Sequence, residues 1–98
     1  MIVARFCVQA RPEHAEEVAA AIAAVQAPSL ALPGVVHFDV TRSLTDAHTF
    51  VVLEAFEDHA ALDRQNAQAE VAEVLRLVDA GALTRELEWT VWEASPTT

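Results

Sequence analysis

The order in which strand-like and helical segments follow one another limits the folds available to this chain. Residues 2–9 are rich in β-forming side chains and indicate a first strand, which ends before Pro12. Proline suits the first turn of a helix, and apolar residues then recur on one helical face, at Val18, Ile22 and Val25. We therefore predict a helix that begins at Pro12 and is stopped by Pro28 and by the Pro33-Gly34 pair.

The middle of the chain continues with a hairpin and a second helical segment. Residues 35–42 indicate a second strand, the polar segment 43–48 a turn, and residues 50–56 an antiparallel third strand. Asp58 can cap a helix that starts at the next residue, and polar residues predict a break in that helix around residues 66–69.

The end of the chain completes the pattern. Gly81 ends the second helical segment, and residues 83–92 alternate as a fourth strand. The order β-α-β-β-α-β is typical of a ferredoxin-like α+β sandwich, in which two helices cover one face of a four-stranded antiparallel sheet. We expect one domain over residues 1–94 and a disordered tail over residues 95–98.

Charge and hydropathy exclude several classes of protein. The formal net charge is −9, and the six basic residues are scattered arginines, which argues against binding to nucleic acid or to an anionic membrane. Apolar runs are too short for a membrane helix, and Arg5 interrupts the segment where a secretory signal needs an apolar centre. We therefore expect a cytoplasmic protein, and the lack of lysine beside abundant alanine suggests a bacterial source of high GC content.

The chain is nevertheless unusually apolar, with a hydrophobic fraction of 53%. A subunit interface or an apolar ligand pocket would accommodate this surplus. Cys7 is the single cysteine, which excludes an intrachain disulfide, and the four histidines share no metal-ligand spacing. We predict no metal site.

Side-chain alternation divides the predicted sheet into two faces. Phe6, Phe38 and Trp89 share an apolar face that should lie under the helices, whereas His37 falls on a mixed face that a second subunit could cover. The third strand is apolar on both faces, so parity does not decide which side Glu54 takes.

Several of these residues have both a structural and a functional interpretation. Glu54 either pairs with Arg85 or Arg42, or reaches solvent, or faces an apolar pocket where its raised pKa would make it a base. His37 is either an interface histidine or a second candidate base. Four aromatic residues either pack as core or line a cavity for an aromatic ring: Phe6, Phe38, Phe56 and Trp89. The amides of Gln65 and Asn66, at the predicted helix break, could hydrogen-bond a carbonyl or hydroxyl group of a ligand.

The run LPGVVHFDVTRSLTDAHTFVVLEAFEDHAALD resembles the antibiotic biosynthesis monooxygenase superfamily. The similar pieces are the Pro-Gly before the second strand, the Arg-Ser-Leu-x-Asp turn, and a third strand that ends in x-Glu-x-aromatic-Glu. Glu54 matches a glutamate common in the family, but Phe56 and Gln65 stand where members often have tryptophan and histidine. The resemblance implies a homodimeric α+β barrel with a pocket between sheet and helices in each subunit.

Characterised members of that superfamily oxidise anthrones or quinols with molecular oxygen and without a cofactor. The resemblance therefore implies a cofactor-independent monooxygenase acting on a quinol, an anthrone or a related polycyclic phenol. Our candidate catalytic residues for it are Glu54, which matches the family, and His37, which is proposed from its position and chemistry alone. Two alternatives stay open: a non-catalytic or stress-related dimer that binds a small apolar ligand, and an isomerase of a small carbonyl compound.

Overall fold

Four strands form one antiparallel sheet in the computed structural model, which describes residues 1–95. They are β1 (Ile2–Gln9), β2 (Val35–Arg42), β3 (Thr49–Phe56) and β4 (Glu88–Glu93), in the spatial order β2-β3-β1-β4. A 3₁₀ turn (Pro12–His14) leads into the helix α1 (Ala15–Leu30), and α2 (His59–Asn66) and α3 (Ala69–Asp79) follow β3. This arrangement confirms the predicted ferredoxin-like α+β fold. Of the tail predicted over residues 95–98, residues 96–98 lie outside the described residues.

Strand register assigns each side chain to one of two faces, because directly opposed residues in an antiparallel ladder project to the same side. Ala4 of β1 lies opposite Glu54 of β3, and Phe38 of β2 lies opposite Glu54 on its other side. Phe6 lies opposite Trp89 of β4. These residues define the helix-side face, and the alternating residues define the outer face.

The predicted break in the second helical segment is confirmed, because α2 ends at Asn66 and α3 begins at Ala69. The Asp58 carboxylate accepts a hydrogen bond from the Ala61 amide at 2.9 Å and caps α2 as predicted.

The prediction that Pro28 stops the first helix is wrong, since α1 continues to Leu30 with Pro28 inside its last turn. A proline removes one backbone donor, which is tolerated here because other contacts hold the turn. The Ala31 amide still donates to the carbonyl of Ala27, and Ser29 is fully buried among hydrogen-bond partners from the α2–α3 region.

The fourth strand is shorter than predicted and begins at Glu88 instead of residue 83. Leu83 makes only an isolated bridge with Ala10, and the Thr84 amide and hydroxyl both bond to Gln9. The pairing of this segment with β1 is therefore interrupted after Leu83 and resumes at Glu88, so Leu87 lies outside the ladder.

Within the described residues, the apolar interior consists of two clusters. The larger one joins α1 and α3 to the sheet and includes Ile22, Phe50 and Leu77. The smaller one lies under α2 and contains Ile2, Ala4, Phe56, Ala61 and Leu62.

Two glycines adopt a left-handed backbone conformation, and they differ in how closely other residues pack against them. Gly34 and Gly81 both have positive φ, of 83° and 87°, which disfavours any other residue. A Cβ at Gly34 would lie 2.7 Å from the Cβ of Ala61, whereas a Cβ at Gly81 would meet nothing within 4 Å.

We expect Gly81→Ala to lower the free energy of unfolding by about 1–2 kcal/mol, the typical penalty of left-handed backbone. Gly34→Ala should lower it by roughly 2–4 kcal/mol, because overpacking adds to the same backbone penalty. Urea denaturation of both variants measures the difference. Equal losses of stability in the two variants would show that Ala61 can move away from the new Cβ at no energetic cost.

Candidate functional site

A cavity of about 370 Å³ lies between the helix-side face of the sheet and the helices α1 and α3. Its wall is mostly aliphatic, with side chains from α1, β3, α3 and the segment before β4: Ile22, Val25, Val52, Val71, Val74, Leu75 and Leu87. Three aromatic residues line it from the sheet, namely Phe6, Phe38 and Trp89. Its polar residues are Glu54, Gln65 and Asn66.

The cavity opens to solvent beside its exposed lining residues. These are Asn66, Leu75 and Trp89, which together form its rim. Trp89 meets Phe6 edge to face, with ring centroids 6.4 Å apart. An aromatic ligand would therefore meet an aromatic edge on its way in.

Glu54 occupies the centre of the helix-side face, which resolves the ambiguity that strand parity left. It is flanked on the neighbouring strands by Ala4 and Phe38, and the residue is only 4% exposed. Its Oε1 atom has no hydrogen-bond partner within residues 1–95. Burial disfavours the charged form and raises the pKa of this carboxyl from 4.5 to about 7.

The predicted ion-pair alternative for Glu54 does not occur among residues 1–95. Arg42 instead pairs with Glu16 at 3.1 Å, and its guanidinium lies 4.9 Å from the ring centroid of Phe50. Within the described chain, no ion pair joins Glu54 to Arg85 or to any other cation.

The amide of Gln65 is the second buried polar group of the wall. Gln65 lies in the last turn of α2 and is 3% exposed. Its Nε2 atom lies 3.5 Å from Ser29 Oγ, and its Oε1 atom has no hydrogen-bond partner in the described part of the chain. Asn66, the next residue, is exposed at the cavity and accessible to water.

The structure brings most of the predicted site residues together but separates two of them. His37 lies on the outer face opposite Ala55, exposed, with its Nε2 2.6 Å from an oxygen of Asp39. The sheet thus stands between His37 and the cavity, so His37 and Glu54 do not form one site. Any role for His37 stays a prediction about the outer face.

Phe56 is also placed elsewhere. It shares the helix-side face with Glu54, as alternation requires, but it is fully buried in the smaller cluster under α2. Because it stands at the end of β3, opposite Ile2, the helix α2 covers it and it does not reach the cavity described here. Its proposed contact with a ligand is therefore not supported by its position.

Sequence reasoning missed the aliphatic part of the wall. The helical spacings in α1 and α3 were visible, but such a stripe looks the same whether it packs on a core or borders a cavity. Leu87 was visible as an apolar residue on the correct face of a predicted strand. Nothing in the sequence indicates that the side chains of these residues leave an unfilled cavity between them.

Two further structural findings concern the described residues. No group of three or more His, Cys, Asp or Glu side chains within residues 1–95 is arranged to hold a metal ion. None of the helices in that part of the chain has the length and apolar character needed to cross a membrane.

Comparison with known proteins identifies the family. Residues 1–77 match the antibiotic biosynthesis monooxygenase family, and the chain belongs to it. No curated protein matches the chain.

Solved structures share its fold. A protein from Deinococcus radiodurans is 18% identical, with a TM-score of 0.88 over 100% of this chain and 96% of its own. An antibiotic biosynthesis monooxygenase is 21% identical, with a TM-score of 0.85 over 98% of this chain and 100% of its own. The protein PA3566 from Pseudomonas aeruginosa is 25% identical, with a TM-score of 0.84 over 97% of this chain and 94% of its own.

The raised pKa of the buried Glu54 carboxyl leads to a prediction about stability. Because the pKa of Glu54 is raised in the folded state, the folded chain binds more protons than the unfolded chain between pH 4.5 and about 7. Its contribution to stability is therefore fully present below pH 4.5 and is lost as the pH rises to about 7.

We expect Glu54→Gln to raise the free energy of unfolding at pH 8 by up to about 3 kcal/mol, and to leave it nearly unchanged near pH 4.5. Urea unfolding across this pH range measures the difference between variant and wild type. The exposed Glu86→Gln is the matched control and should give a small, flat difference. A flat difference for Glu54→Gln would mean that its carboxyl is not desolvated.

Proposed function

We propose that this protein is a cofactor-independent monooxygenase that oxidises a quinol, an anthrone or a related polycyclic phenol with molecular oxygen. Its family and its likeness to a solved monooxygenase support a monooxygenase in general. The observation that carries the chemistry is one buried carboxyl on the wall of an apolar cavity, whose Oε1 has no partner among the described residues. We also propose a cytoplasmic, bacterial setting, as composition suggests.

The cavity suits a planar aromatic substrate. Its volume of about 370 Å³ lies in the usual range for small-ligand pockets, and its wall offers aromatic edges and aliphatic surface. A bound aromatic ligand would displace water from this apolar cavity, which would protect a carbanion from being quenched by solvent protons.

Glu54 supplies a base in this proposal. With a pKa of about 7 it is largely ionised above neutrality, and it holds a proton more strongly than a solvated carboxylate does. It would take a proton from the activated CH₂ group of an anthrone or from a phenolic hydroxyl. The product is an electron-rich carbanion or phenolate that can reduce molecular oxygen.

For an anthrone, the atoms and electrons balance without another reductant. The carbanion gives its electrons to O₂ and a C–O bond forms, which leaves a peroxide on that carbon. The peroxide then loses its remaining C–H proton as its O–O bond breaks. One oxygen atom stays as the new carbonyl group, and the other leaves as water with the two protons.

We expect the metal-stripped protein to consume oxygen with anthrone or a naphthoquinol well above the autoxidation rate. Glu54→Gln should lower this excess rate by about 10²–10⁴-fold, the usual contribution of a general base. The rate should rise with pH through about 7, as the carboxyl ionises, and that rise should disappear in the variant. An oxygen electrode measures both effects.

Glu86→Gln, an exposed carboxylate on the segment before β4, serves as the control and should retain the wild-type rate. Loss of activity in His37→Ala with Glu54→Gln unaffected would contradict the proposal and place the chemistry on the outer face.

An isomerase of a small carbonyl compound is the second candidate. Among the described residues that line the cavity, Glu54 is the one that titrates, and a single base is sufficient to move a proton between two carbons. Product formation in the absence of oxygen distinguishes this reaction. A protein that binds ligand without turnover in either assay would be the non-catalytic dimer.

We further propose that a second copy of the chain covers the outer face. Leu53 and Trp92 are 43% and 47% exposed there, and half-buried Val3, Val51 and Ala55 extend the same surface. Apolar residues so placed on a sheet are typical of a subunit interface.

Light scattering after gel filtration should therefore show a dimer for the wild type. Trp92→Glu should shift it toward the monomer, because a carboxylate would be buried without a partner. Leu44→Glu, at a fully exposed turn residue between β2 and β3, should leave the dimer intact. A monomeric wild type at micromolar concentration would refute the assignment.

A further inference from the structure

We propose that Gln65 determines specificity, by selecting aromatic ligands that carry a second hydroxyl group in addition to the group that meets Glu54. The inference rests on the proposed function for its substrate class. It concerns binding, however, and can be tested without turnover.

The unpaired oxygen of Gln65 is the first observation. The residue is 3% exposed and lines the cavity, yet its Oε1 accepts no hydrogen bond within the described structure. Buried polar atoms are nearly always paired, because an unpaired one has lost its water without a replacement. A hydroxyl donor on a bound ligand would supply the missing bond.

The orientation of the amide follows from its neighbours in α1 and in the link between α2 and α3. Gln68 Nε2 donates to Ser29 Oγ at 2.9 Å and to the backbone carbonyl of Gln65 at 3.2 Å. Ser29 Oγ in turn lies 3.5 Å from Gln65 Nε2. The amide nitrogen is thus directed at α1, which leaves the oxygen as the free end.

Two acceptors that line the cavity, one on β3 and one on α2, set the chemistry of the ligand. Glu54 also lines the cavity with an unpaired oxygen, and its ionised form can only accept hydrogen bonds. Gln65 Oε1 is an acceptor at every pH. An aromatic diol has a donor for each of these oxygens, whereas a ligand with one donor leaves one of them unpaired.

Three redox-stable probes of equal ring size test this inference: 2,6-dihydroxynaphthalene, 6-methoxy-2-naphthol and 2,6-dimethoxynaphthalene. Each carries one donor fewer than the one before it. Their affinities are measured by calorimetry at pH 8 without oxygen, so that no turnover intervenes. For the wild-type protein we expect about a tenfold loss of affinity at each step.

Gln65→Met keeps the length and volume of the side chain but removes the acceptor. In this variant the diol and its monomethyl ether should bind within about twofold of each other, because the second hydroxyl has no acceptor left. The step from the monomethyl to the dimethyl ether should stay near tenfold, since Glu54 is unchanged. A tenfold preference for the diol that persists in Gln65→Met overturns the inference.

Ser29→Ala provides a second test if Gln65→Met does not fold. It removes the hydroxyl that orients the amide and barely changes volume, so the preference for the diol should fall to about threefold. A purely structural Gln65 would leave the preference unchanged. Wild-type protein that binds the three probes equally, or binds none of them, also overturns the inference.

Failure of this inference is distinguishable from failure of the proposed function. Preference for the diol with no oxygen uptake would retain the role of Gln65 and reject the monooxygenase. Oxygen uptake that depends on Glu54, with no preference for the diol, would support the monooxygenase and reject the role of Gln65.

Discussion

The burial of one carboxyl group in the middle of β3 is the constraint around which the site is organised. Glu54 lies between Ala4 and Phe38 on the neighbouring strands, where it is nearly fully buried and where no cation of the described residues pairs with it. Burial raises its pKa to about 7, so the group changes charge near neutrality. A chain that keeps such a residue in a central strand gives up stability above that pH, and the proposed role as a base gives that loss a function.

The rest of the site depends on how the helices lie over this strand. The last turn of α1 continues past Pro28 and brings Ser29 to the end of α2, where Gln65 and Gln68 contact it. That polar contact borders a largely apolar cavity. It joins two helices that are far apart in sequence and leaves the amide oxygen of Gln65 without a partner among the described residues. The segment before β4 completes the wall because it leaves the ladder after Leu83.

Most of the fold could be predicted from local pattern. The alternation of β1, the cap at Asp58 and the break after Asn66 depend on neighbouring residues, and all three are found as predicted. The errors occurred where distant contacts override local preference. Pro28 was expected to end α1, but contacts to Ser29 hold the turn, and β4 was predicted five residues too early because alternation does not reveal where a partner strand ends.

By itself, the sequence determined the order of strands and helices and the apolar faces, and it identified a carboxylate, two amides and several aromatics as candidate site residues. It did so because these features follow from local propensity and side-chain alternation. Only the tertiary structure decided that Glu54 faces the helices, that Phe56 lies under α2, and that His37 lies across the sheet from the cavity. Those outcomes depend on register and on helix placement, which no single segment encodes. An empty space between packed elements is likewise a property of the assembled molecule and has no signature along the chain.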